Sequence, residues 1–258
     1  MAELIFIGTS SGRTSLNRFH SSFLISTSNY NLLIDACDGI SKALLTQQVS
    51  YNVIDGILFS HLHPDHYTGL AALIVQMKMI DRKKTLDVFI NSELEDVIRN
   101  FLIQSYLFPE RIGFVIEYHP LTDNVKFKIN DVISFIPRQN SHLSSISKLE
   151  GYKSRSYSSS SFLIRVEDKN IHYTSDVGEK NDLHLFKDKT IDYLISEGTH
   201  INPEDIITAF DKSELPRKII LTHISDDDLI SLKSYILELP RDLKDKIIIA
   251  SDGLKIKL

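Results

Sequence analysis

Residues 59–69 read FSHLHPDHYTG, and positions 61 to 66 alone hold three histidines and an aspartate. Chance rarely crowds four such groups into six positions of a soluble protein. An apolar run, GILFS at 56–60, ends where the cluster begins. Alternate residues of an extended segment share a face, so His61 and His63 point together. Pro64 ends the strand and turns the chain. Asp65 and His66 then fall near the start of the helix that carries Leu70. Two donors from a strand end and two from the next turn can surround metal ions. Neutral imidazole and carboxylate suit zinc, and also iron or manganese.

Four donors serve one ion, and a second ion needs donors from elsewhere. Three later strand ends offer them: His142 after VISFIPRQNS, Asp176 at the end of IHYTSD, and His223 at the end of KIILTH. Each sits where an apolar strand meets a polar loop, the usual address of active-site groups in α/β proteins. Singly, each also has a structural explanation, such as an Asx-turn or cap for Asp176.

The elements that must position these groups are short. Runs such as LIFIG 4–8, FLIST 23–27, NLLID 31–35, DVFIN 87–91, FLIRVE 162–167 and DYLISE 192–197 have the length and Ile/Val/Phe content of strands. EDKN 167–170 predicts a hairpin. Leu70, Leu73, Ile74 and Met77 follow helical spacing, as do Leu94, Val97, Ile98 and Phe101. NPEDII 202–207 offers Asn202 as a cap and Pro203 at the first helical position. SDDDLISLKSYILELP 225–240 has a serine cap, acids in its first turn and a proline stop. About a dozen strands and five helices describe a strand-rich α/β chain, with two mixed β-sheets packed as an αββα sandwich with outer helices. No Pro/Gly/Ser linker divides residues 1–258, so one domain is expected.

Composition sets the remaining bounds. The 258 residues carry a net charge of −5, with 42 % hydrophobic and 24 % charged residues. Whole-molecule attraction to nucleic acid is not expected from that balance. The one cysteine, Cys37, allows neither an intramolecular disulfide nor a thiolate zinc cluster. The opening MAELIFIG lacks the pattern of a signal peptide, and no apolar run approaches a membrane span. A cytoplasmic location with no membrane partner is the expectation.

The string H-x-H-x-D-H after a strand, with His142, Asp176 and His223 at later strand ends, resembles the metallo-β-lactamase superfamily. The likeness runs along nearly the whole chain. IFIGTSSGRTSLNRFHSSFLI, LLIDACDGISKALL, HYTSDVG, LTHIS and IIIASDGLKIKL are similar to successive segments of its tRNase Z-like branch. The resemblance implies two metal ions, zinc with manganese or iron as alternatives. His61, His63 and His142 would hold one; Asp65, His66 and His223 would hold the other; Asp176 would bridge them. It implies hydrolysis by a hydroxide shared between the ions, with Asp65 essential to catalysis.

SEGTHINPEDII is similar to the segments of that branch in which a Glu–His pair helps protonate the leaving oxygen. Glu197 and His200 are therefore candidate catalytic residues, with His200 as general acid or phosphate ligand. A helix-flanking role for His200 is the alternative. Asp35 is expected to hydrogen-bond a ligating histidine, or else to serve as a strand-end turn residue. His20, His119, His172 and His184 do not match the ligand pattern, and Cys37 reads as packing.

True tRNase Z enzymes insert a long basic arm between the third motif histidine and the following aspartate. Here only 34 positions, 142 to 176, separate the two. An armless relative resembles the small-substrate phosphodiesterases, including anti-Pycsar-type cyclic-nucleotide hydrolases. A small, cyclic phosphodiester or nucleotide is the leading expected substrate. Processing of tRNA 3′ ends, with RNA as partner, and a lactonase or thioesterase activity remain alternatives. Loop 144–161 offers Lys148, Lys153 and Arg155 for phosphate and Tyr152 or Tyr157 for a base, or is simply a mobile polar loop. The resemblance also implies a homodimer, and the apolar stripe of the helix at 70–80 is either a surface for it or part of the core.

Overall fold

The computed structural model describes residues 2–210 and 215–258. Along them run the strands β1 (Glu3–Gly8), β2 (Ser22–Ser26), β3 (Asn31–Ile34), β4 (Gly56–Leu58), β5 (Leu86–Asn91), β6 (Ile116–Leu121), β7 (Phe127–Lys128), β8 (Ile133–Gln139), β9 (Ser160–Val166), β10 (Lys169–Tyr173), β11 (Tyr193–Glu197), β12 (Lys218–Thr222), β13 (Ile247–Ile249) and β14 (Lys255–Lys257). The α-helices are α1 (Ile40–Thr46), α2 (Pro64–Tyr67), α3 (Leu70–Met79), α4 (Glu95–Gln104), α5 (Pro109–Ile112), α6 (Pro203–Thr208), α7 (Asp226–Glu238) and α8 (Arg241–Lys244). They form two compact units, Met1–Thr122 with Ser251–Leu258, and Asp123–Ala250. Each unit holds one mixed seven-stranded sheet.

The first sheet has the order β14-β1-β2-β3-β4-β5-β6. Its first four strands pair antiparallel, and β3 to β6 pair parallel. Parallel neighbours need long crossovers, and the helices α1 to α5 supply them. Leu33, Ile57 and Val88 of the sheet share a core with Ile40, Ala43 and Leu44 of α1 and with Leu70, Leu73, Ile74 and Met77 of α3. Each large apolar side chain so buried contributes roughly 1.5–3 kcal/mol. The stripe of α3 therefore faces this unit's own core, not a partner surface.

The second sheet has the order β13-β12-β11-β10-β9-β8-β7. Strands β7 to β10 pair antiparallel, and β10 to β13 pair parallel. The hairpin expected at 167–170 joins β9 to β10 and turns at Glu167, whose φ is 54°. Leu194, Ile219 and Leu221 pack with Ile206 of α6 and with Leu232 and Ile236 of α7. Ser225 caps α7 by accepting the Asp228 N–H at 3.1 Å, and acids at 226–228 oppose the helix dipole. No helix among the described residues is long and apolar enough to cross a membrane.

The candidate site residues of each unit lie where strands stop. In the first unit, β3 leads into Asp35 and β4 into the histidine cluster. In the second, β8, β10, β11 and β12 lead into His142, Asp176, the 197–200 segment and His223. These are mostly carboxyl ends of parallel strands, where α/β folds commonly bind ligands.

Candidate metal centre

In the first unit, β4 stops at Leu58 and the chain stays extended to His63. Pro64 opens α2, a helix of only four residues that carries Asp65 and His66. The sequence reads as one helix through Leu70, but the chain breaks at Gly69. A β-carbon on Gly69 would run into the carbonyl oxygen of Cys37. The Gly69 N–H donates to Ala36 O at 3.0 Å, and the Ala36 N–H to His66 O at 2.8 Å. These bonds tie the end of β3 to the turn that carries Asp65 and His66. The His61 ring lies 4.7 Å from that of His63 and 4.1 Å from that of His66.

One buried carboxylate orients two of these imidazoles. Asp35 Oδ2 lies 2.8 Å from His66 Nδ1 and accepts the Ser60 hydroxyl at 2.8 Å, while Oδ1 accepts the Ser60 N–H at 2.8 Å. Ser60 Oγ, its proton directed to Asp35, receives His61 Nδ1 at 3.1 Å. Both histidines thus carry their proton on Nδ1 and present the Nε2 lone pair as a ligand atom. Asp35 meets the expectation that it hydrogen-bonds a candidate ligand. No motif marks Ser60, whose part in this chain of bonds arises only from the fold. Asp35→Ala is expected to weaken metal binding roughly 10–100-fold. It should also destabilise the fold by about 1–3 kcal/mol, because His66 and Ser60 lose a buried partner. Chelator competition and urea denaturation check the two effects separately.

In the second unit, Asp176 is 2 % exposed. Its Oδ1 lies 3.5 Å from His223 Nε2, and its Oδ2 lies 3.7 Å from His142 Nε2 and 3.9 Å from His200 Nδ1. These separations exceed a good hydrogen bond. They approach the ~3.3 Å edge of a tetrahedron whose donors sit ~2.0–2.1 Å from a zinc ion. In the first unit, His66 Nε2 and Asp65 Oδ2 stand 3.5 Å apart in the same way. One ligand atom each from Asp176, His200 and His223 falls within 4.8 Å of the others, a spacing at which they could hold a metal ion. The nitrogen and oxygen donors fit zinc, manganese or iron.

Glu197 ends β11 and is 1 % exposed. Its Oε2 accepts the N–H groups of Thr199 at 2.6 Å and His200 at 2.9 Å. Its Oε1 faces His200 Nδ1 at 3.3 Å. Thr199 Oγ1 donates to the His223 carbonyl at 2.5 Å, so the 197–200 turn is fastened to the end of β12. The structure thereby brings Glu197 and His200 beside Asp176 and His223.

Backbone conformation at these strand ends is costly. Asp35, Ser175 and His223 have φ of 60°, 55° and 51°, in the left-handed region. A non-glycine residue there costs roughly 1–2 kcal/mol, and such positions gather where function requires them.

The remaining histidines make other contacts. His20 Nδ1 contacts Ser11 O at 2.7 Å, and His119 Nε2 contacts Asp87 Oδ1 at 2.9 Å. His172 is buried edge-on to Phe186, and His184 lies against Phe210. Cys37 is buried, and its burial pushes the thiol pKa well up, which fits packing and not chemistry. In loop 144–161, Tyr152 is exposed and Tyr157 donates its hydroxyl to the Tyr152 carbonyl at 2.9 Å.

The family model of the anti-Pycsar protein Apyc1 matches residues 2–234. The chain belongs to that family. A ribonuclease Z from Saccharolobus solfataricus is 26 % identical over 254 residues, spanning 93 % of this chain and 78 % of the relative. The human tRNase Z, short form, superposes with a TM-score of 0.73 at 18 % identity, covering 99 % of this chain and 98 % of the other. The metallo-β-lactamase fold protein YhfI from Bacillus subtilis superposes with a TM-score of 0.72 at 17 % identity, covering 99 % and 98 %. The fold is that of the metallo-β-lactamases, as the resemblance carried by the H-x-H-x-D-H string and the later strand-end His and Asp residues implied. The family is one of hydrolases, related to the RNase Z-like phosphodiesterases.

Proposed function

We propose that this chain hydrolyses a small phosphodiester, a cyclic nucleotide in particular, at a two-metal centre. His61, His63 and His142 would hold one ion, Asp65, His66 and His223 the other, with Asp176 shared. The observation that carries this reading is the setting of Asp176: His223 faces one of its oxygens and His142 the other. A carboxylate addressed by imidazoles on both oxygens is suited to bridging two ions. When bound, such ions supply Lewis acidity and activate water at neutral pH, which is the chemistry that phosphodiester hydrolysis needs.

The chain's own residues provide orientation and proton handling. Asp35 and Ser60 engage the Nδ1 atoms of His66 and His61, which leaves each Nε2 outside that bond, to serve as a donor. Glu197 accepts the backbone N–H groups of Thr199 and His200 and places its other oxygen 3.3 Å from His200 Nδ1. The His200 side chain is 40 % exposed, so it can reach a substrate and deliver a proton to a departing oxygen. The anti-Pycsar family match supports a cyclic-nucleotide substrate. The ribonuclease Z relative favours a second reading, cleavage of RNA, against which stands the net charge of −5.

A substrate panel tests the assignment. Protein loaded with zinc or manganese is offered 3′,5′-cyclic nucleotides, precursor tRNA, bis-p-nitrophenyl phosphate and an acyl lactone. Conversion of a cyclic nucleotide to its monophosphate, far above the rate on precursor tRNA, is the expected result. Turnover of precursor tRNA alone would favour the nuclease reading, and of the lactone alone a different reaction class.

A further inference from the structure

The geometry points to Asp182 as the residue that fixes the spacing between His142 and Asp176 and so sets the affinity for metal. This inference rests on reading those two residues as ligands. Asp182 is 5 % exposed and touches no candidate ligand atom itself. Its carboxylate gathers donors from two loops. From the His142 loop, the Ser141 N–H approaches both oxygens at 3.1 Å, and Ser141 Oγ donates to Oδ2 at 2.8 Å. From the Asp176 loop, the N–H groups of Gly178 and Glu179 donate to Oδ2 at 2.9 and 3.3 Å. The Glu179 side chain returns the bond by accepting the Asp182 N–H.

Two further observations bear on the same joint. A β-carbon on Gly178 would collide with the Ser141 carbonyl, so the loops meet backbone to backbone. Asn140 closes the other side. Its Oδ1 accepts the His142 N–H at 3.2 Å, and its Nδ2 donates to the Asp176 carbonyl at 2.9 Å. The residues before His142 and those after Asp176 are thus clasped together, and the two side chains face each other at 3.7 Å across the clasp.

The clasp calls for a carboxylate. All four donors reach Oδ2, the Ser141 N–H being shared with Oδ1, and charge-assisted bonds from backbone N–H to a carboxylate are the stronger kind. An asparagine would leave a neutral acceptor for the four donors and would turn its NH2 toward the Ser141 N–H. Since two ligand-bearing loops depend on one side chain, its loss should widen the ligand spacing before it unfolds the unit. Asp182 is a positioning residue in this account.

The test compares Asp182→Asn and Gly178→Ala with Asp55→Asn. Asp55 is another buried carboxylate, which accepts the Asn31 N–H at 2.8 Å and pairs with Lys84 in the first unit. Metal affinity is read by competition with a chromophoric chelator. Ligand geometry is read from the visible spectrum of the cobalt(II)-loaded protein, and stability from thermal melts. Asp182→Asn and Gly178→Ala are expected to bind metal roughly 10–100-fold more weakly with an altered cobalt spectrum. Asp55→Asn should melt earlier with affinity and spectrum unchanged. Wild-type affinity and spectrum in the first two variants would overturn the inference, whatever their melting temperatures. Gly178→Ala decides alone if Asp182→Asn does not fold. His142→Ala separates the two levels: if it too retains wild-type affinity, the ligand assignment has failed and the clasp with it.

Discussion

Asp65→Ala is expected to abolish hydrolysis of whichever substrate the wild-type protein turns over, by a factor on the order of 10³ or more. That corresponds to about 4 kcal/mol of transition-state stabilisation. Asp65 occupies the first turn of α2, and its Oδ2 stands 3.5 Å from His66 Nε2. Removing it deletes a candidate ligand and the negative charge that balances a cation there. The Asp65 side chain is 15 % exposed, whereas the buried bonds of this turn run through Asp35, Ser60 and His66. A thermal melt of the variant, run beside kcat/KM, separates loss of activity from loss of folding. Retention of activity in a folded, metal-loaded variant would mean that catalysis does not run through this residue.

The second large effect concerns acid. His172 sits on β10, 1 % exposed, with its ring edge-on to Phe186 at 5.0 Å. Burial pushes its pKa from 6.5 down to about 3, and the nearby Arg138 and His184 push in the same direction. Between those two values the unfolded chain binds a proton that the folded chain refuses. Folding stability therefore falls as the pH is lowered through that window, by about 1.4 kcal/mol per pH unit for this one group. Its contribution is intact above pH 6.5, and the loss approaches a value on the order of 4 kcal/mol near pH 3. His172→Leu should remove one proton's worth of slope. Urea denaturation of both proteins at pH 7, 5.5 and 4.5 measures it, and parallel stability curves would contradict the assignment.

The candidate ligands were legible in the sequence for a chemical reason. A metal site demands particular side chains at strand ends, and His61, His63, Asp65, His66, His142, Asp176 and His223 all stand within a few residues of the end of an apolar run. The central strands were legible because they are apolar throughout. Strands β6 and β14 were not. They lie at the edges of the first sheet, so IEYHPL and KIK are only half-buried and carry polar residues and a proline that an edge tolerates. Helix α1 follows Gly39, which offers no capping side chain to announce it. The break between α2 and α3 depends on how closely Gly69 approaches Cys37, a contact between segments far apart in sequence.

Support around the candidate ligands was harder to read. Ser60 and Asp182 are ordinary residues whose neighbours are decided by strand register and loop closure. Asp35 was visible only because the segment around it resembles a known family. The substrate is less legible still, because ligand sets of this kind serve several ester chemistries and nothing in loop 144–161 fixes a base.

The central proposal is that His61, His63, Asp65, His66, His142, Asp176 and His223 hold two divalent ions. Native mass spectrometry of the full chain, reconstituted with zinc or manganese, tests it most directly. Two ions per chain are predicted, with one lost in His61→Ala and one in His66→Ala. A single ion in the wild-type protein, or two ions undisturbed in both variants, would contradict the account.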